Sequence, residues 1–143
     1  MARDITTVIE EAMIAELEKT GLFKQLDSLG RGAPDNVKAR TYPMASVYFD
    51  GDNDDTDRAS ARPVPDFYYT IMIKVMNRAH EKDSARDAYS IMDEVRDLFN
   101  GKQLGVDGIE PVRLVRRRIL AYVAGEITYG MRFRVPVVLA PIR

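Results

Sequence analysis

The chain has no cysteine and a single histidine, His80, among its 143 residues. Without cysteine there is no disulfide framework and no thiol chemistry, and a zinc site loses its usual sulfur ligands. This usage fits a reducing cytoplasm. A second histidine for a metal pair is missing, and so are a Gly-x-Ser-x-Gly elbow and a glycine-rich phosphate loop. No apolar run approaches the roughly 18 residues of a membrane span. The start, Met1-Ala2-Arg3-Asp4 followed by Glu10, Glu11 and Glu16, lacks the basic opening and apolar stretch of a signal peptide. An excess of either charge is absent too: 21 Lys+Arg face 22 Asp+Glu, a net charge of −1. A strong non-specific polyanion binder normally carries a large positive excess. These absences lead us to expect a protein that is not an enzyme, with no cofactor, no metal, no membrane contact and no specific nucleic acid.

What is present is an amphipathic pattern interrupted by long strands. Ile5, Val8, Ile9, Ala12, Met13 and Leu17 recur at three- and four-residue steps and predict a helix over Asp4–Thr20, capped by Asp4 or Thr6 and closed by Gly21. Leu22–Leu29 reads as a short strand or half-buried extended segment. After Tyr42-Pro43, residues Met44–Asp50 alternate as a strand. Asp66–Asn77 alternates most clearly, with Phe67, Tyr69, Ile71, Ile73 and Val75 on one side. Tyr68 and Met72, on the other side, are candidate contact residues. Lys82–Asn100 predicts a second helix with Ala85, Ala88, Ile91, Met92, Val95, Leu98 and Phe99 on one stripe. Val112–Val123 and Glu126–Ala140 predict two strands joined at Ala124-Gly125. The expected fold is therefore one α+β domain, residues 1–143. Two layers are expected, a mainly antiparallel sheet covered by two amphipathic helices. Ile9, Met13, Ile91, Val95 and Leu98 should pack on Phe67, Tyr69, Ile71, Ile73, Val75, Phe133 and Val135.

Between Gly51 and Pro65 the periodicity stops. The stretch holds Asp52, Asp54, Asp55 and Asp57 and reads as a mobile acidic loop, longer than the hairpin loops of about 2–5 residues. It is not an EF-hand. A loop starting at Asp50 has Asp55 where glycine is needed and Ala61 where an acid is needed. A contact surface for a basic partner is the functional reading. His80 beside Glu81 reads as a helix-start residue rather than a general base.

Arg113, Arg116, Arg117 and Arg118 break the alternation of their strand. Strict alternation puts Arg116 and Arg118 with Leu114, Leu120 and Tyr122, and puts Arg117 with Val115 and Ile119, so neither face is cleanly apolar. A bulge would shift the phase and resolve the conflict. Lys74, Arg132 and Arg134 fall on the polar sides of their strands. A basic sheet face follows, either simply solvated or used as a subunit or partner contact, with proximity to DNA as the weaker version.

Several segments carry a family resemblance: Gly21-Leu22-Phe23 with Leu29-Gly30; Tyr42-Pro43-Met44-Ala45-Ser46-Val47-Tyr48-Phe49; Arg96-Asp97-Leu98-Phe99-Asn100-Gly101-Lys102 with Leu104-Gly105; and the closing strand pair. Over nearly its whole length the chain resembles the tail-terminator (tail-completion) proteins of Mu-like contractile phages and prophages. The resemblance implies a small α+β protein that forms a homo-oligomeric ring, usually a hexamer, on the end of the tail tube. There it stops tube polymerisation and offers a face to the neck. Implied partners are a second copy of the chain, the tail tube protein and a neck or head-completion protein. The implied location is the host cytoplasm during assembly, then the virion tail. The family has no catalytic residues to carry over, and the acidic loop has no counterpart in it. A head-completion or neck protein and a free nucleic-acid-binding module are the alternatives.

Overall fold

The structure is a computed structural model and describes residues 4–28, 42–53, 66–76, 81–123 and 125–138. Helix α1 spans Ile5–Thr20, and strands β1 (Gln25–Ser28), β2 (Met44–Asn53) and β3 (Asp66–Met76) follow. Helix α2 spans Glu81–Phe99, and β4 (Arg113–Val123) and β5 (Glu126–Pro136) complete the fold. The five strands form one sheet in the order β1-β2-β3-β5-β4. The β1–β2 pairing is parallel and the other three are antiparallel. The architecture is α+β with a mixed, mostly antiparallel sheet.

The helix ends follow from their cap residues. Asp4 accepts the Thr7 N–H at 2.8 Å and the Thr7 hydroxyl at 3.1 Å, satisfying a donor that the first turn leaves unpaired. The bond from the Thr7 N–H holds the Asp4 carboxyl below the ordinary value. Gly21, at φ 67°, closes α1 in the left-handed region that a β-carbon disfavours. At the end of α2, the Asn100 side chain accepts the Leu114 N–H at 2.9 Å, and Gly101 N–H donates to Val112 O at 2.6 Å. These bonds fasten the helix end to the start of β4.

One face of the sheet carries the core. Tyr69, Ile71, Ile73 and Val75 of β3 meet Met131, Phe133 and Val135 of β5, and Ile9, Met13, Leu17, Ala88, Met92, Val95 and Phe99 come down from the helices. Phe67, Ile91 and Leu98 join from the margin, partly buried. Phe99 meets Phe133 edge-to-face at 5.5 Å between centroids. The Tyr69 hydroxyl donates to Thr6 O at 2.7 Å, and burial pushes its pKa well up.

Three expectations are corrected. β2 does not stop at Asp50. Gly51, at φ 101°, accommodates a bulge after Phe49, so Asp52 and Asn53 pair with Phe67 and Asp66. The rest of the acidic stretch, 54–65, lies outside the described residues. β5 ends at Pro136 rather than Ala140. Beyond it, Val137 bridges to Ile109 and the Val138 N–H donates to Gly108 O at 2.7 Å, so the chain pairs with the segment before β4. Met72, expected at a contact surface, is 5 % exposed, and Met44 and Ser46 beside it are fully buried. On the face away from the helices, Met44, Ser46 and Met72 are therefore covered.

Two substitutions test this packing. Phe99→Ala removes a buried ring and should cost about 3–5 kcal/mol, read as a lower urea midpoint at unchanged m-value. Ile73→Asp buries an unpaired carboxylate in a fold worth about 5–15 kcal/mol. It should abolish the cooperative melt in circular dichroism, and a soluble, cooperatively melting variant would refute the assignment of Ile73 to the core face.

Candidate functional site

The arginine-rich strand β4 lies at the edge of the sheet, and its residues are mostly exposed. Its register against β5 slips twice, between Leu114 and Arg116 and between Ile119 and Ala121. These bulges resolve the mixed pattern. Leu114, Arg117, Ile119 and Tyr122 lie opposite Phe133, Met131, Tyr129 and Ile127, on the helix side. Arg116 and Arg118 lie opposite Arg132 and Gly130, on the other side. Grouping Arg116 and Arg118 with Leu114 and Tyr122 by strict alternation is thus corrected, because each bulge moves the chain by one face.

On the helix side, Arg117 donates to Asp93 of α2 at 2.7 Å, and Arg96 approaches the same carboxylate at 3.4 Å. The bond from Arg117, with the nearby Arg96 charge, holds the Asp93 carboxyl below the ordinary value. Beside this pair, Tyr89, Met92, Ile119 and Tyr129 line a hollow of about 420 Å³. Tyr89 and Tyr129 meet edge-to-face at 6.4 Å. Apolar side chains crowd the strand: Val115 is 49 % exposed, Ile119 59 %, Tyr122 57 % and Val123 64 %. Exposed apolar groups gathered on an edge strand mark a contact surface more often than singly scattered ones do.

On the opposite side, Arg113 faces Arg134 and Arg116 faces Arg132 across the β4–β5 ladder. Like charges in directly opposed positions destabilise a strand pair. Arg116, Arg118 and Arg132 line a cavity of about 300 Å³ with Tyr48, Asp50, Thr70, Leu120 and Gly130. Asp50 is the carboxylate of that lining. It accepts from the Thr70 hydroxyl at 2.9 Å and lies 3.7 Å from Arg132 Nε, within ion-pair reach but too far for a hydrogen bond. The Arg132 guanidinium also sits 4.3 Å above the Tyr68 ring. Burial raises the Tyr48 phenol, with Asp50 adding to the shift and Thr70, Arg118 and Arg132 opposing it. The Nε atoms of Arg132 and Arg134 are buried without a hydrogen-bond partner.

The basic residues singled out from sequence thus divide. Arg113, Arg116, Arg118, Arg132 and Arg134 gather on one patch, and Arg117 is turned to the helix side. Lys74 stands lower on the patch's face, 3.5 Å from Glu126, whose carboxylate also accepts the Tyr42 hydroxyl at 2.6 Å. Asp52 belongs to β2, while Asp54, Asp55, Asp57 and His80 lie outside the described residues. Sequence reasoning missed Asp93, Tyr48 and Thr70 as neighbours of the arginines. The out-of-phase position of Arg117 was the available signal for Asp93. Nothing local in the sequence marked Tyr48 or Thr70. Among the described residues there is no cluster of His, Cys, Asp and Glu able to hold a metal ion, and no helix is long and apolar enough to cross a membrane.

No protein-family model matches the chain, and no curated protein matches it in sequence. Among solved structures it is similar to a chain of the virion of a native gene transfer agent particle. The TM-score is 0.59 at 13 % identity, over 94 % of this chain and 98 % of the other. The two share a fold along nearly their full lengths.

The Asp93–Arg117 pair is checked by titration. A carboxyl whose folded pKa is depressed contributes stability above its unfolded pKa and loses it as pH falls through the folded value. NMR should place the Asp93 midpoint below that of an ordinary aspartate, and Arg117→Met should bring it back up. An unchanged midpoint would show that the pair does not form in solution.

Proposed function

We propose that this protein is a structural component of a phage-type particle, and specifically a tail terminator. It assembles as a homo-oligomeric ring, a hexamer, at the end of the tail tube, stops tube growth and joins the tail to the neck. It works by occupying a position, not by turning over a substrate. The observation that carries the reading is the likeness, end to end on both chains, to a component of a gene transfer agent virion. The order of helices and strands and the segments resembling Mu-like tail terminators support the finer assignment.

The subunit contact proposed for the ring is strand β4. Among the described residues its outer edge has no neighbour in the sheet, and its helix-side residues Ile119 and Tyr122 are exposed. The opposite edge strand, β1, is only 4 residues long. A contact that uses different surfaces on its two sides can close into a ring when the rotation per subunit closes. Arg117 stands at the same side and offers a forked donor to a neighbour's carboxylate.

Electron microscopy of the purified protein should show rings, alone or on tube ends. Ile119→Lys combined with Val123→Lys should reduce assembly at least tenfold with the melting temperature within a few degrees of the parent, since both side chains are exposed. A tail-assembly reaction supplies the stronger test. Without this protein, tubes should run past their normal length and fail to join heads. Tails of normal length and joining ability would refute the terminator role, and normal tails with defective heads would point to a head-completion protein.

A further inference from the structure

The arginine patch on the face away from the helices is not used by the proposed ring contact. Arg113 opposite Arg134 and Arg116 opposite Arg132 set like charges against each other on neighbouring strands. Among the described residues, Asp50 is the carboxylate in the cavity lined by Arg116, Arg118 and Arg132. Two guanidinium Nε atoms, of Arg132 and Arg134, are buried with no hydrogen-bond partner. A buried donor left unpaired is costly, and so is like-charge opposition. The arrival of an anion among the guanidinium groups removes the like-charge cost. The hydroxyl of Tyr48 lies in the same cavity and extends the set of groups able to meet anionic oxygens, while the Thr70 hydroxyl proton is given to Asp50.

The anion could sit on a protein or on a nucleic acid, and the lining separates the two. The centre of a protein–protein interface is apolar and depleted of charge. The cavity presents three guanidinium groups, one carboxylate, two hydroxyls and only Leu120 as a large apolar side chain. Nucleic-acid interfaces are more polar and much more positive than protein ones, and most of their hydrogen bonds go to the sugar–phosphate backbone from Arg, Ser, Thr and Tyr. The apolar surface suited to protein is on the other side of the same strand, at Tyr89, Ile119 and Tyr122. Aromatic stacking of bases is not offered either: Tyr68 lies under Arg132, and Tyr48 is half-buried.

We infer that the face formed by Arg113, Arg116, Arg118, Arg132 and Arg134 binds the phosphate backbone of a nucleic acid without reading its sequence. Arg116, Arg118 and Arg132 hold one phosphate group at the cavity, and Arg113 and Arg134 meet its neighbour along the strands. The near-neutral chain confines this positive charge to one patch. Contact is therefore weak per subunit and strongly dependent on salt.

The test is fluorescence anisotropy of a labelled random-sequence duplex titrated with the full chain. Neutralising about two phosphates gives a log–log salt slope of about −1.8, so affinity should fall roughly 12-fold between about 50 and about 200 mM salt. Arg116→Gln combined with Arg118→Gln should weaken binding more than tenfold at the lower salt and reduce the slope by about one. Both residues are exposed, so circular dichroism should show an unchanged fold. Arg96→Gln, on α2, should bind as the parent does. The inference is overturned by absence of binding at about 50 mM salt or by equal binding of parent and double variant. Displacement of the duplex by polyglutamate as readily as by a second duplex also overturns it and assigns the patch to an acidic protein. None of these readings depends on ring formation or tail length, so the terminator proposal stands or falls separately.

Discussion

β3 pairs with β5 along its whole length, from Asp66 opposite Pro136 to Met76 opposite Glu126, and with β2 on its other side. A central strand paired on both edges has its backbone donors and acceptors satisfied, so burial of its side chains carries no backbone penalty. That pairing sets the face on which Tyr69, Ile71, Ile73 and Val75 stand, and the helices have one surface on which to bury their stripes. A one-residue slip would turn every one of these side chains to the other face. The rest of the molecule is arranged around that register.

Away from this centre the rules relax, and the relaxed places are where function is proposed. Among the described residues β4 has a neighbour on one side only, and it carries two bulges. The bulges let one strand serve two surfaces of opposite character. Toward the helices it shows Arg117 and a set of apolar side chains. Toward the other face it shows Arg116 and Arg118 beside Arg132. A regular strand with this sequence would have mixed arginine with apolar side chains on both faces and made neither surface coherent. The bulges cost ladder hydrogen bonds, and an edge strand at the rim of a sheet is where such costs are smallest.

The two surfaces suggest a division of labour. Exposed apolar groups on a strand at the edge of the sheet suit protein contact, and opposed guanidinium groups suit phosphate. A ring built through the first would repeat the second around it, so weak phosphate contacts in each subunit would add through multivalency.

Much of the fold was legible in the sequence. Helix α1 with Asp4 and Gly21 at its ends, helix α2, the alternation of β3 and the turn before β5 follow from local spacing, because side-chain period and cap chemistry are properties of neighbouring residues. The need for a bulge in β4 was visible too, as a conflict among Arg116, Arg117 and Ile119. The tertiary structure alone decided the rest. Strand order put β5 between β3 and β4, which brought Arg132 opposite Arg116 and Tyr48, Asp50 and Thr70 into the same cavity. Packing of α2 brought Asp93 to Arg117, and the bulge at Gly51 carried β2 on to Asn53. Burial of Met72 on the side that alternation marks as polar was likewise a matter of packing. The physical reason is common to all of these: they join residues far apart in the chain, and a local pattern holds no information about which distant strand will supply the partner.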